Sequence, residues 1–233
     1  MTAIRTRSGP GPLMLTRVLF ALACLWTGRA WCQAPADSAV TWQLDNLQRI
    51  GGHSVTVVGA PRVIDSPQGK ALEFDGQDDA VFVPVNPLAG LEQFTAEVIF
   101  QPYAAGPPEQ RFFHIQEDGT ENRLLFETRL TPASRWFLDT FLKSGAGNYT
   151  QLAEHAQHPL GPWYHAAVTV DGRMMRHFVN GVEEMATPVR FEPLRPGRTS
   201  IGVRVNQVHW FRGAMRTFRV TPRVLAPAEF LAR

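Results

Sequence analysis

The densest run of hard oxygen donors in this 233-residue chain is Asp75-Gly76-Gln77-Asp78-Asp79. Carboxylates packed this closely offer what a calcium ion takes. Asp and Gly also supply the hydrogen bonds and dihedrals of tight turns, so the run reads first as a turn and second as a metal site. Glu154, His155 and His158, with His165 nearby, offer mixed ligands. Their spacing is not that of a helical zinc motif, and Pro159 and Gly161 make the segment a loop, so they read as surface histidines. Glycan hydrolysis needs two carboxyl groups about 5–9 Å apart. Glu183 and Glu184 are adjacent and point to opposite faces of a strand, Glu127 stands alone, and there is no Gly-x-Ser-x-Gly elbow. No catalytic set emerges. Sugar recognition instead needs flat rings facing solvent beside polar groups. Trp136, Asn148, Tyr149, His209 and Trp210 are the residues expected in or beside loops that meet this need, with Gly145–Thr150 the most ligand-like loop. Trp42 and Trp163 read as core or edge packing.

These candidates must be positioned by strands. Phe94, Ala96, Val98 and Phe100 alternate with Thr95 and Glu97, and Tyr164, Ala166, Val168 and Val170 repeat the pattern. Asp171-Gly172 and Asn180-Gly181 are the dipeptides of two-residue type I′ hairpins. They predict a meander of 164–170, 173–179 and 182–185. Eighteen prolines and nineteen glycines spread along the chain argue against long helices. Only 227–232 reads as a helical turn. The class expected is all-β, two antiparallel sheets in one domain.

Composition excludes disorder, at 44% hydrophobic and 19% charged. The first 36 residues read as an export signal: Arg5, Arg7 and Arg17, then the apolar run Val18–Trp26, then small residues ending at Ala34-Pro35-Ala36. The apolar run is too short to span the ~30 Å of a bilayer core. Cys24 and Cys32 both fall in this segment, so a cut after Ala36 leaves a chain (37–233) without cysteine and without disulfides. It also removes four arginines, leaving 19 basic against 21 acidic residues and no basic stripe suited to nucleic acid.

Four segments together resemble the LamG-like jelly-roll domains of the concanavalin A-like lectin/glucanase superfamily. They are Gly69–Gly76 followed by Asp79-Ala80-Val81; Phe94–Pro102; Trp163–Gly172 with Phe178–Val182; and Ile201-Gly202, Phe211–Met215 and Leu225–Phe230. The resemblance spans roughly 40–231 and implies a jelly-roll β-sandwich with one concave sheet. It does not imply one function, because relatives bind sugars, bind proteins or cleave glycans. Many relatives carry an Asp where this chain has Arg216, and that Asp helps hold calcium near the Asp75 turn. A cation there disfavours calcium at Asp75, Asp78 and Asp79, and an Arg216–Asp75 ion pair is expected instead. No cofactor is expected. The function expected is that of an exported, non-catalytic binding module for a glycan, with a protein-interaction module or a glycan-cleaving enzyme as the alternatives.

Overall fold

In the computed structural model the described residues are 1–2 and 38–232. The export segment, with Arg5, Arg7, Arg17, both cysteines and the cut at Ala36, lies outside them. The chain runs through β1 (Val40–Gln43), β2 (Arg49–Ile50), β3 (His53–Ser54), β4 (Thr56–Val58), β5 (Arg62–Ser66), β6 (Gly69–Asp75), β7 (Ala80–Val83), β8 (Phe94–Pro102) and β9 (Glu109–Glu117). It continues through β10 (Arg123–Leu130), β11 (Arg135–Ser144), β12 (Gly147–Leu152), β13 (His158–Pro159), β14 (Tyr164–Val170), β15 (Met174–Val179), β16 (Val182–Pro188), β17 (Gly197–Ile201) and β18 (Arg212–Thr221). The helical turn expected at 227–232 is a single 3₁₀ turn, Pro227–Glu229.

Two antiparallel sheets form a jelly-roll sandwich. The first has the order β16-β15-β14-β8-β18-β6-β5, with β1 also on β18; the second has the order β12-β11-β10-β9-β17-β7-β4, with β13 on β11. Alternation drives the packing. Phe94, Ala96, Val98 and Phe100 face the second sheet with Phe218 and Trp42, and meet Phe112, Phe126, Leu138 and Leu142 from the other side. Phe100 stacks on Phe112 at 4.4 Å and Phe218 on Phe113 at 4.1 Å, so aromatic pairs join the two sheets.

The β14–β15–β16 meander has the predicted strands, and its two turns differ. Asn180 and Gly181 both have positive φ, 52° and 80°, as a type I′ turn requires. At the other corner the central pair is Gly172-Arg173, one residue later than expected. Gly172 alone takes positive φ, as at the first position of a type II′ turn, while the Asp171 carboxylate accepts the N–H groups of Arg173 (2.9 Å) and Met174 (2.7 Å). The Asp side chain favours the position before the turn because it can accept from the backbone there.

Thr95 and Glu97, on the opposite side of β8 from its phenylalanines, are also buried. The chain after β18 folds back over this face as a strap. Thr95 donates to the Arg223 carbonyl and accepts from the Leu225 N–H, and Phe230 lies 5.2 Å from the rings of both His165 and Phe178. Glu97 is the polar centre beneath it. It accepts from Arg219 Nε (2.6 Å) and the Leu231 N–H (2.7 Å), and lies 3.0 Å from His165 Nε2. His165 is therefore a buried partner of Glu97, a correction to its reading as a surface histidine. Burial opposes ionisation of Glu97, but the bonds from His165, Arg219 and Leu231 outweigh it and hold the carboxyl below its ordinary 4.5.

A group with a depressed folded pKa stabilises the fold above its unfolded pKa, and that contribution is lost as pH falls through the folded value. Glu97→Ala should cost about 3–5 kcal/mol in urea unfolding at pH 7, because Arg219 and His165 are left beside a buried hole. The gap between wild type and Glu97→Gln should narrow from pH 6 toward pH 3; a constant gap would contradict this assignment.

Candidate functional site

Antiparallel register places the polar residues of the second sheet in rows on its outward face. Thr56, Phe82, Ser200, His114, Leu125 and Phe141 form one row across β4, β7, β17, β9, β10 and β11. Two residues along, Arg198, Gln116, Arg123, Lys143 and Asn148 form the next. Their chain neighbours Val81, Ile201, Phe113, Ile115, Leu124 and Leu142 face the core.

The 202–211 loop lies beside these rows. Gly202 opens it with φ of 88°, and a Cβ there would lie 2.4 Å from the Phe74 ring, so the turn requires glycine. The loop is then tied down. Ser200 Oγ donates to the Val203 carbonyl (2.6 Å), the Val205 N–H donates to His114 Nδ1 (2.9 Å), and the Arg111 N–H donates to the His209 carbonyl (2.9 Å). Gln207 and His209 hold positive φ, 59° and 62°. Such backbone costs about 1 kcal/mol or more per residue and persists where surrounding contacts over-determine it.

Between this loop and the β4–β7 edge runs a groove of about 520 Å³. Thr56, Phe82, Asp118, Arg198, Val205 and Gln207 are among the residues that line it. Arg198 donates from Nε (2.9 Å) and Nη2 (2.8 Å) to Asp118, an exposed pair on the polar wall. Its size falls within the range of about 300–1,000 Å³ usual for small-ligand clefts, and one aromatic ring among hydrogen-bonding groups suits a saccharide.

A second cluster lies nearby on the same face. Glu127 stands opposite Asp139 on β11 and Arg111 on β9, so the reading of Glu127 as solitary is corrected by register. Arg129 donates to Asp139 (2.8 Å), pairs with Glu109 and approaches Glu127 at 3.7 Å. Arg111 Nε lies 2.9 Å from Glu127 Oε2 but off the hydrogen-bonding axis, so both atoms are charge-paired and not hydrogen-bonded. Burial, with the Asp139 charge second, pushes Glu127 up to about 7, and burial also raises Asp139. Both carboxyls are almost wholly buried; Arg129 bonds Asp139, while Arg111 and Arg129 stand near Glu127 without a hydrogen bond to it.

The residues expected to bind ligand do not gather in one place. Trp136 is fully buried, a correction, because it shares phase with Leu138 and Leu142 and packs edge-on to Phe100 and Tyr164 at 5.2 and 4.9 Å. Tyr149 leans on the core, and its hydroxyl accepts from the Arg190 N–H (2.8 Å). Asn148 is exposed at the end of the Arg198–Lys143 row, and His209 and Trp210 are half-buried in the 202–211 loop. Phe82, Arg198, Gln207 and His114 were missed. Phe82, His114 and Arg198 have only the alternation within β7, β9 and β17 as a linear signal, and Gln207, in the 202–211 loop, has none.

The Asp75–Asp79 turn uses its own carboxylates. Asp79 accepts from the N–H groups of Ala60 (2.7 Å) and Asp75 (3.0 Å), and Asp75 Oδ1 accepts from Gln77 (2.8 Å) and Asp78 (3.2 Å). The nearby cation is Arg212, opposite Asp75 in register and 3.2 Å from its carbonyl. Arg216 lies four residues farther along β18, its guanidinium 5.8 Å from the Trp163 ring centre. The expected Arg216–Asp75 pair is therefore corrected. His158 pairs with Glu184 (2.7 Å), and His155 is exposed.

A family model, Laminin_G_3, described as the concanavalin A-like lectin/glucanases superfamily, matches residues 75–230. No curated protein matches in sequence. Among solved structures, domain 4 of AbnA, a GH43 extracellular arabinanase from Geobacillus stearothermophilus, in complex with arabinotriose, aligns with a TM-score of 0.60. Identity is 19%, over 83% of this chain and 96% of that one. The botulinum neurotoxin serotype D binding domain aligns at 0.59 with 12% identity, over 83% of this chain and 50% of that one. A structure of botulinum neurotoxin type C, whose cell entry depends on interaction with two ganglioside molecules, aligns at 0.58 with 12% identity and the same coverage. The chain spans about half the length of these toxin structures.

A raised folded pKa gives stability that is complete below the unfolded pKa and is lost as pH rises through the folded one. For Glu127 that window runs from about 4.5 to about 7, with an upper limit of ~3 kcal/mol. Glu127→Gln should gain stability relative to wild type between pH 5 and pH 8 in urea unfolding. An unchanged difference at the two pH values would count against the raised carboxyl.

Proposed function

The chain belongs to the concanavalin A-like lectin/glucanases superfamily, and from the groove on its second sheet we propose that it is an exported, non-catalytic module that binds a glycan. The observation that carries this is the juxtaposition of the Phe82 ring with Thr56, Gln207 and the Arg198–Asp118 pair in one open groove. A sugar offers an apolar face to the ring and hydroxyls to the wall. Structural neighbours described as bound to arabinotriose or as dependent on gangliosides support this choice of ligand class. The burial of Glu127 and Asp139, with Asp139 bonded to Arg129, supports a structural rather than catalytic part for those two carboxyls. Export rests on the leader-like first 36 residues.

Glycan-array binding followed by calorimetry tests the reading. Phe82→Ala and Gln207→Ala should each weaken the best glycan about tenfold, with little change in Tm. Millimolar Ca²⁺ or EDTA should leave both affinity and Tm unchanged. Binding to no glycan, or full affinity in Phe82→Ala, overturns the groove assignment; release of reducing ends from a polysaccharide panel overturns the non-catalytic part.

A further inference from the structure

His114 occupies the middle of the outward rows and is fully buried. Its Nδ1 accepts the Val205 N–H, so that nitrogen carries no proton and Nε2 carries one. This second N–H has no acceptor within hydrogen-bond distance. A buried donor left unpaired costs about 1–3 kcal/mol, so its retention calls for an explanation.

The surroundings supply donors and positive charge. Arg123 lies diagonally across β10 from His114, through the Leu125 and Gln116 pairs, within the ~7–8 Å reach of such neighbours. It is pre-oriented, with Nη1 on the Glu121 carbonyl (2.7 Å) and carboxylate (3.0 Å) and its guanidinium 4.4 Å above the Phe141 ring. Its Nε is a second buried donor without an acceptor. Arg204 adjoins Val205, and no carboxylate pairs with it among the described residues. Burial, then Arg123, Arg204 and Arg111, hold His114 well below its ordinary pKa, so the ring stays neutral in one tautomer. Lys143, beside Arg123 in register, adds a further cation with no carboxylate partner among the described residues. Two unspent N–H donors in a field of arginines are what a planar or tetrahedral oxyanion satisfies.

We propose that His114, Arg123 and Arg204 form an oxyanion site, and that it takes the carboxylate or sulfate of an acidic glycan whose chain lies in the adjoining groove. The glycan part rests on the function proposed above; the oxyanion part does not. Val205 links the two: it is among the residues lining the groove, and its N–H donates to the His114 ring.

The test titrates the purified protein with four probes: sodium sulfate, an oligogalacturonate, a sulfated oligosaccharide and a neutral oligosaccharide. Binding is read by calorimetry, and the His114 Nε2–H by long-range ¹H–¹⁵N spectra. An acidic probe should move the Nε2–H resonance, and Arg204→Gln should weaken that probe about tenfold or more. Arg62→Gln, an exposed arginine of the first sheet, should bind as wild type. The tighter of the two acidic saccharides identifies the group carried. No movement of the Nε2–H with any anion, or undiminished affinity in Arg204→Gln, overturns the site. Neutral glycan binding without anion binding overturns this inference alone. A sulfate response at His114 without binding of any saccharide upholds the oxyanion site and overturns the glycan reading.

Discussion

The arrangement of the second sheet turns on one irregularity, the bulge of β9 opposite Phe126 and Glu127. A bulge adds a residue and shifts the phase of a strand, so Phe112 and Phe113 both face inward although they are consecutive. Each then stacks on a phenylalanine of the first sheet, Phe100 and Phe218. The same shift places Arg111 on the outward face beside Glu127; strict alternation would drive its guanidinium into the core. A bulge in β18 at Arg216 lies on the first sheet, between Met215 and Thr217. The aromatic joint between the sheets and the charge network outside them are thus two sides of one backbone adjustment.

Buried carboxylates on the two sheets show how the same burial has opposite results. Glu97 and Glu127 are both nearly inaccessible. Glu97 receives well-aligned donors from a guanidinium and a backbone N–H, with His165 beside it, and its charge is favoured. Glu127 faces a second carboxylate and a guanidinium that is close but poorly aligned, and its charge is disfavoured. Alignment and company decide the outcome once water is excluded.

What the sequence disclosed follows the same division. Period-two runs such as Phe94–Phe100 and Tyr164–Val170 announced strands and faces, and Asn180-Gly181 announced its turn, because these signals are local. The sandwich class was legible for that reason, and the motif series of the superfamily supported it. Cross-strand neighbours have no linear signature. Glu127 looked solitary because Asp139 faces it from the next strand, and Arg216 was matched to Asp75 although Arg212 stands there. Trp136 was assigned to a loop edge because one residue of phase separates a core ring from an exposed one. The groove was illegible for a related reason: β4, β7, β17 and two loops bring its walls together, and each piece alone is ordinary.

The last strand, β18, lies in the middle of the first sheet, between β8 and β6, and the strap that covers β8 comes after it. During synthesis, β14–β16 can join β8 early, but the β5–β6 half has no partner there until residues 212–221 leave the ribosome. β18 pairs with β8 on one side and β6 on the other, and so joins the two halves of the sheet. Long-range pairing of this kind makes closure slow. Until then the apolar face of the second sheet lacks part of the sheet that covers it.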